Sequence, residues 1–238
     1  METLILDNGL RVVTETTPTD VVYCGIAVDA GTRDEKPGEE GIAHFTEHLT
    51  FKGTNRRRSW HILNRMESVG GDLNSFTGRE ETVYYCTFLK QHFGRAIDLL
   101  LDIVLNSTYP QHEMDKEVEV VIDEIESYRD SPAEQIYDEF ENLVFCGHPL
   151  GHNILGDAEG LRKMKSEDVQ RFAKRLYRLD RMVLFVKIHI RLTPLTYRLL
   201  DGFNNRLLRH VTLDKQDHSV KTIQSFCKTL HIFALHLS

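Results

Sequence analysis

A chain of 238 residues, 41% hydrophobic and 27% charged, can build one domain with a sizeable core or two small ones. Its net charge of −7 argues against a nucleic-acid partner, which requires a concentrated basic face. No stretch approaches the roughly 20 apolar residues of a membrane span, so no membrane partner is expected. The four cysteines, Cys24, Cys86, Cys146 and Cys227, are scattered without a CxxC pair, which is not a disulfide framework. The segment METLILDNGLRVVTET has neither the basic region nor the apolar run of a signal peptide. A cytoplasmic protein is the expectation.

Residues 3 to 15 alternate around Asp7-Asn8-Gly9, a turn signal that predicts a two-strand hairpin. Val21 to Val28 reads as a third, largely buried strand. The glycine-rich charged stretch from Gly31 to Gly41 reads as a loop feeding a first helix over 41–52. A second helix over 58–69 is expected to stop at Gly70-Gly71. Strands follow at 72–78 and 82–89, the latter rich in Thr, Val, Tyr and Phe. Leu99, Leu100, Ile103 and Val104 set helical spacing through about 105. Further helices are expected at 112–129, 132–145 and 166–177, the last with Ser166 as N-cap. Arg181 to Ile190 reads as a returning strand. Strands in adjacent pairs and helices in runs predict an α+β fold with an antiparallel sheet, not a doubly wound one.

The pentapeptide His44-Phe45-Thr46-Glu47-His48 carries chemistry of its own. On a helix, positions i, i+3 and i+4 share a face, so two imidazoles one turn apart can grip one metal with a glutamate beside them. Neutral imidazole and carboxylate are the donors that catalytic Zn²⁺ prefers, with one position left for water. Taken alone, the pattern fits a solvated helix face equally well. A third ligand has to come from elsewhere. The helix over 112–129 buries Val118, Val121, Ile122 and Ile125 at i, i+3, i+4, i+7 spacing. Glu117 and Glu124, seven apart, border that stripe as ligand candidates or as solvated boundary carboxylates.

Several longer segments turn this into a resemblance. GTRDEKPGEEGIAHFTEHLTFKGT resembles the signature of the pitrilysin-type (M16) zinc metallopeptidases, and GGDLNSFTGREETVYYCTFL resembles their segment between the two metal-site helices. HPLGHNILGD at 148–157 is similar to their HPLGRPILG loop, with His152 where Arg is usual. The resemblance covers residues 1 to about 186 and implies a LuxS/MPP-like metallohydrolase half-molecule, an antiparallel sheet backed by helices. It implies one Zn²⁺ per chain held by His44, His48 and Glu124, the last 76 residues after the second His. Glu47 is then the general base toward water, and Glu117 the residue that orients a ligand or the water. The 72–78 strand is implied to be the edge that receives an extended peptide by β-augmentation, with Asn74, Ser75 and Phe76 as substrate-binding positions. His148 and His152, although compatible with a ligand pair, are implied to be structural. Cys86 and Cys146 read as small core residues, Arg56-Arg57-Arg58 as a solvated helix start, and Tyr84 as a sheet residue packing into the core.

Family members carry two homologous halves, in one chain or in paired chains, and this sequence matches only the active half. From Lys187 onward there are 8 Lys/Arg against 3 Asp, no Glu occurs after Glu167, and five of the twelve His lie in this stretch. Residues 187–238 therefore read as a divergent tail of unknown structure. A truncated or frame-shifted gene product is one explanation, and an alternative reading frame that restores the family pattern past residue 187 is its test. The expected function is a zinc metalloendopeptidase acting on peptides or unfolded segments, as a homodimer or with a second M16 half-subunit. The competing expectation is a non-catalytic half-subunit that binds zinc and peptide and requires a partner chain. A third reading, S-ribosylhomocysteine lyase, shares HxxEH but takes a cysteine as its third ligand.

Overall fold

The computed structural model describes residues 1–189. The first hairpin forms as expected: β1 (Glu2–Ile5) pairs antiparallel with β2 (Arg11–Thr16). At its turn, Asn8 Oδ1 accepts from Leu10 N at 2.9 Å, and Gly9 adopts φ 89°. β3 (Val21–Val28), β4 (Asp72–Thr77), β5 (Thr82–Leu89) and β6 (Met182–Ile188) complete a six-stranded sheet in the order β1-β2-β6-β3-β5-β4. The helices among the described residues are α1 (Ile42–Thr50), α2 (Ser59–Glu67), α3 (Phe93–Asn106), α4 (Gln111–Arg129), α5 (Pro132–Val144), α6 (Ala158–Lys163) and α7 (Ser166–Leu176). The class is α+β, as expected.

One pair departs from a purely antiparallel sheet. β6 inserts between β2 and β3 and runs parallel to β2, so the sheet is mixed. Parallel neighbours require a long crossover, and everything from β3 to α7 lies between these two strands. The expected domain boundary at 187 falls inside β6, where Lys187 pairs with Glu15 and Tyr23. Residues 190–238 lie outside the described residues.

The principal core lies between the sheet and its helices. α1 contributes Ile42, Phe45 and Leu49, α3 contributes Leu99, Leu100 and Ile103, and α7 contributes Val169 and Phe172, all buried. Tyr84 also points into this core, where its hydroxyl meets Thr50 at 3.2 Å and Tyr177 at 2.9 Å. The other sheet face holds a smaller cluster of Ala27, Val83 and Phe185. α2 ends where the glycines predict: Gly70, at φ 71°, donates to Glu67 O, and Gly71 donates to Met66 O. At α7 the capping differs from expectation. Asp168 accepts from Lys165 N at 2.9 Å, while Ser166 Oγ donates to Tyr109 O and so ties α7 to the segment before α4.

Two further features position the site. Gly41, at φ 86° ahead of α1, lies against Gly156 so closely that a side chain on either would strike backbone within 3 Å. This back-to-back contact seats the 148–157 loop against the start of α1. On α5, Ile136, Tyr137, Phe140, Leu143 and Val144 leave an exposed apolar stripe. No helix among the described residues is long and apolar enough to cross a membrane.

Candidate metal centre

α1 turns Phe45 and Leu49 into the core, which leaves His44, Glu47 and His48 on its other face. α4 lies across this face and brings Glu117 and Glu124 to it from positions two turns apart. His44 Nε2 is 3.7 Å from Glu124 Oε1, and His48 Nε2 is 3.4 Å from Glu124 Oε2. One donor atom from each of the three residues lies within 4.8 Å of the others. Two ligands of a tetrahedral zinc ion, each about 2.1 Å from it, are roughly 3.4 Å apart. These spacings are long for direct hydrogen bonds and suit a shared cation, so the residues present fit zinc. Glu124 is exposed whereas His44 is buried, so the centre opens on one side toward solvent.

The surroundings prepare each group differently. Burial, with the neighbouring His48, pushes His44 down to about 4, which keeps its imidazole neutral. His44 Nδ1 is buried without a partner among the described residues. For His48, burial is outweighed by the hydrogen bond to Glu117 and by the negative charges of Glu124 and Glu47, and its pKa rises to about 9. Glu117 Oε1 is 3.0 Å from His48 Nδ1 and its Oε2 is 2.5 Å from Lys52 Nζ. Although Glu117 is largely buried, those two partners hold its carboxyl below the usual range.

Glu47 sits beneath β4. Ser75 Oγ donates to its Oε1 at 2.5 Å, and Thr77 Oγ1 donates to its Oε2. Burial raises its pKa and the two hydroxyls partly offset that rise. β4 pairs only with β5 and is therefore an edge strand of the sheet among the described residues. Of the three positions expected to meet substrate, only the Ser75 side chain is brought to Glu47. Strand alternation sends Phe76 to the opposite face, against the Ala27, Val83 and Phe185 cluster, and leaves Asn74 exposed.

Three residues with parts to play escaped sequence reasoning. Lys52 lies one helical turn beyond His48, Thr77 two positions beyond Ser75, and both spacings were legible. Glu35 accepts from Gly41 N at 3.2 Å and Ala43 N at 2.9 Å, capping the helix that carries HxxEH. It lies in a run of charges that offers no local signal. Other expectations divide. Cys86 is buried as expected, but Cys146 is exposed. Arg57 is no solvated helix start: its guanidinium is largely buried against Asp98 and Asp102. His148 Nδ1 accepts from Leu150 N at 3.2 Å, and His152 Nδ1 bonds Thr32 O at 3.2 Å, so both serve the loop.

Comparison with known proteins agrees with this arrangement. The model of the insulinase family of peptidases, M16, matches residues 11–158. An uncharacterised zinc protease of Rickettsia bellii is 37% identical over 182 residues, covering 76% of this chain and 44% of the relative. A probable mitochondrial-processing peptidase β subunit of Arabidopsis thaliana is 37% identical over 180 residues, covering 75% of this chain and 34% of that one. The chain thus spans less than half the length of these curated relatives. Among solved structures, a protease from Helicobacter pylori superposes with a TM-score of 0.82 at 23% identity, over 91% of this chain and 52% of that one. A peptidase M16 inactive domain from Pseudomonas fluorescens gives 0.77 at 16% identity, over 91% of this chain and 53% of that one. At such identities the two structures speak to fold alone. On the family match over more than half of its length, this chain belongs to the insulinase (M16) family of peptidases, which includes zinc proteases.

Proposed function

We propose that the chain is the active half of a zinc metalloendopeptidase that hydrolyses peptides or unfolded segments. The observation that carries this reading is the convergence of His44, His48 and Glu124 donor atoms within 4.8 Å, beside a buried Glu47. In this reading those three residues hold one Zn²⁺, which when bound lowers the pKa of a water toward about 7 and polarises the scissile carbonyl.

The chain's own residues do the rest. Glu47, with a pKa raised by burial, takes the proton of the attacking water and passes it to the leaving amine. Ser75 and Thr77 hold both of its oxygens, so the carboxylate is oriented before substrate arrives. Glu117 fixes the His48 ring through Nδ1, which aims Nε2 at the metal position. An extended peptide pairs with the open edge of β4, where backbone groups supply affinity with little dependence on sequence. In this reading Ser75 faces the catalytic side, Asn74 lies on the exposed face, and Phe76 contributes through its backbone; the alternation of side chains along β4 supports this.

The working assembly includes a second half, either another copy of this chain or an M16 half-subunit. Support comes from the exposed apolar stripe on α5, a face that a second half would cover. A cytoplasmic setting belongs to the same reading and is supported by the free thiols of Cys24, Cys86 and Cys146. The divergent tail beyond β6 is given no role in this scheme. A second reading is a zinc- and peptide-binding half that does not turn over alone, for which the exposed stripe on α5 is the surface a completing partner would cover.

One preparation tests both. Metal content and cleavage of a quenched peptide are measured for wild type and Glu47→Gln, with a chelator control. About one zinc per chain with cleavage, lost in a Glu47→Gln variant that keeps its metal, supports the peptidase. Zinc without cleavage supports the partner-dependent half, and absence of zinc overturns both.

A further inference from the structure

A second cluster of charged side chains lies where α2 faces α3. Arg56, Arg57, Arg65 and Arg95 line a cleft of about 260 Å³ together with Trp60 and His61. None of these residues belongs to the His44 centre. Three of the guanidiniums share one carboxylate: Arg56 Nη1 is 3.2 Å from Asp98 Oδ1, Arg65 Nη2 is 3.3 Å from Asp98 Oδ2, and Arg57 also bonds Asp98 Oδ2. Arg57 reaches Asp102 as well, and Asp102 is further occupied by Thr54 at 2.9 Å and Asn106 at 3.2 Å. Arg95 Nη1 donates only to neutral oxygens, Arg65 O at 3.0 Å and Ser68 Oγ at 3.4 Å, and forms no ion pair among the described residues.

Four guanidiniums against two carboxylates leave an excess of two positive charges in one cleft. Arg57 is the structural member, largely buried and saturated by Asp98 and Asp102. Arg56, Arg65 and Arg95 carry the excess. Arg65 Nε is buried with no partner among the described residues, a donor left unmet inside the cluster. Burial and the charges of Arg57, Arg95 and Arg56 depress the Arg65 pKa, the mark of a cation that lacks sufficient counter-charge. Trp60, 68% exposed, offers a flat apolar surface beside the cluster, its ring edge-on to His61 at 5.2 Å.

We propose that this cleft binds a small phosphate monoester, its dianionic head between Arg56, Arg65 and Arg95 and its organic part against Trp60. Guanidinium forks match the terminal oxygens of phosphate, and a dianion balances an excess of two charges where a monoanion leaves one uncompensated. The cleft is small beside the pockets of roughly 300–1,000 Å³ that take larger ligands, which fits a phosphate bearing a single ring. The site is independent of the peptidase reading.

The chain has one tryptophan, so its intrinsic fluorescence reports on this cleft directly. The full chain is titrated with phenyl phosphate, inorganic phosphate and phenyl sulfate at constant ionic strength. Expected is a saturable change with phenyl phosphate, a weaker response to inorganic phosphate and the weakest to the monoanionic phenyl sulfate. Arg56→Gln and Arg65→Gln are each expected to weaken phenyl phosphate binding about tenfold or more, with thermal melts confirming that the variants fold. Arg56 is the safer variant because its side chain is largely exposed. The titration is repeated after chelator treatment to exclude binding through a metal at the His44 centre and should be unchanged. No saturable change, equal response to phosphate and sulfate esters, or affinity unaltered in both arginine variants overturns the proposal.

Discussion

His48 Nδ1 lies 3.0 Å from Glu117 Oε1, and the opposite nitrogen of the same ring is turned toward Glu124. One carboxylate thus sets the direction in which the imidazole can act, and Lys52 steadies that carboxylate from its far side. Glu117→Gln keeps the shape but weakens the acceptor and unbalances Lys52, so zinc affinity is expected to fall about 10- to 100-fold. Competition with a chromophoric chelator measures it, and an unchanged affinity would remove Glu117 from this role.

Zinc uptake is expected to release protons. In the metal-free protein the neighbouring carboxylates hold His48 up to about 9, so its ring is protonated at neutral pH, while His44 is already neutral. A ligating imidazole has to be neutral, so binding at pH 7 should expel about one proton. Calorimetry in buffers of different ionisation enthalpy counts it, and a count of zero contradicts the His48–Glu117 geometry as the source. The same shift has a stability consequence. A histidine whose folded pKa exceeds its unfolded value stabilises the metal-free fold fully below about 6.5 and loses that contribution as pH rises through about 9.

The hydroxyls above Glu47 should tune its proton affinity. Ser75 and Thr77 both stabilise the ionised carboxylate, so removing them raises its pKa further. Ser75→Ala with Thr77→Ala is expected to move the acid limb of the pH–rate profile to higher pH. Loss of the orienting bonds should also lower kcat/KM by about tenfold. An acid limb that stays in place while activity falls would assign the hydroxyls to substrate instead.

Glu35 should support the metal helix from a distance. Its carboxyl oxygens accept from Gly41 N and Ala43 N at the start of α1, and Glu35→Ala is expected to cost about 1–2 kcal/mol of stability. Burial pushes its carboxyl up to about 8 against the pull of those two amides. Between its ordinary value of 4.5 and about 8 the folded chain holds a proton that the unfolded chain has released, so stability at this site falls as pH rises through that window. Glu35→Gln should flatten this slope in chemical denaturation, and an identical pH profile for wild type and variant would refute the linkage.

Much of the architecture was legible because it rests on local rules. Asn8-Gly9 and Gly70-Gly71 mark chain reversals by backbone conformations that other residues adopt at a cost, and the structure turns at both. The period of α4 identified Val118, Val121, Ile122 and Ile125 as its buried stripe, and they are buried. HxxEH needed only helical geometry to put His44, Glu47 and His48 on one face. Arg57 departs from expectation because its partners, Asp98 and Asp102, come from α3, which no nearby residue announces.

What the chain alone determined is most of its elements (the short α6 excepted), the pairing of hairpin strands and a metal-compatible face on α1, all consequences of interactions within a few residues. What only the tertiary structure decided is the company those residues keep. Glu117 and Glu124 lie about seventy residues or more beyond His48 in the chain, and sequence periodicity could not tell a ligand from a solvated boundary carboxylate. Packing α4 across α1 made that choice, placing Glu124 opposite both imidazoles and Glu117 behind one of them. The insertion of β6 between β2 and β3 is likewise a tertiary outcome: both of its edges are hydrogen-bonded and its two faces enter the two apolar clusters, none of which a local pattern specifies.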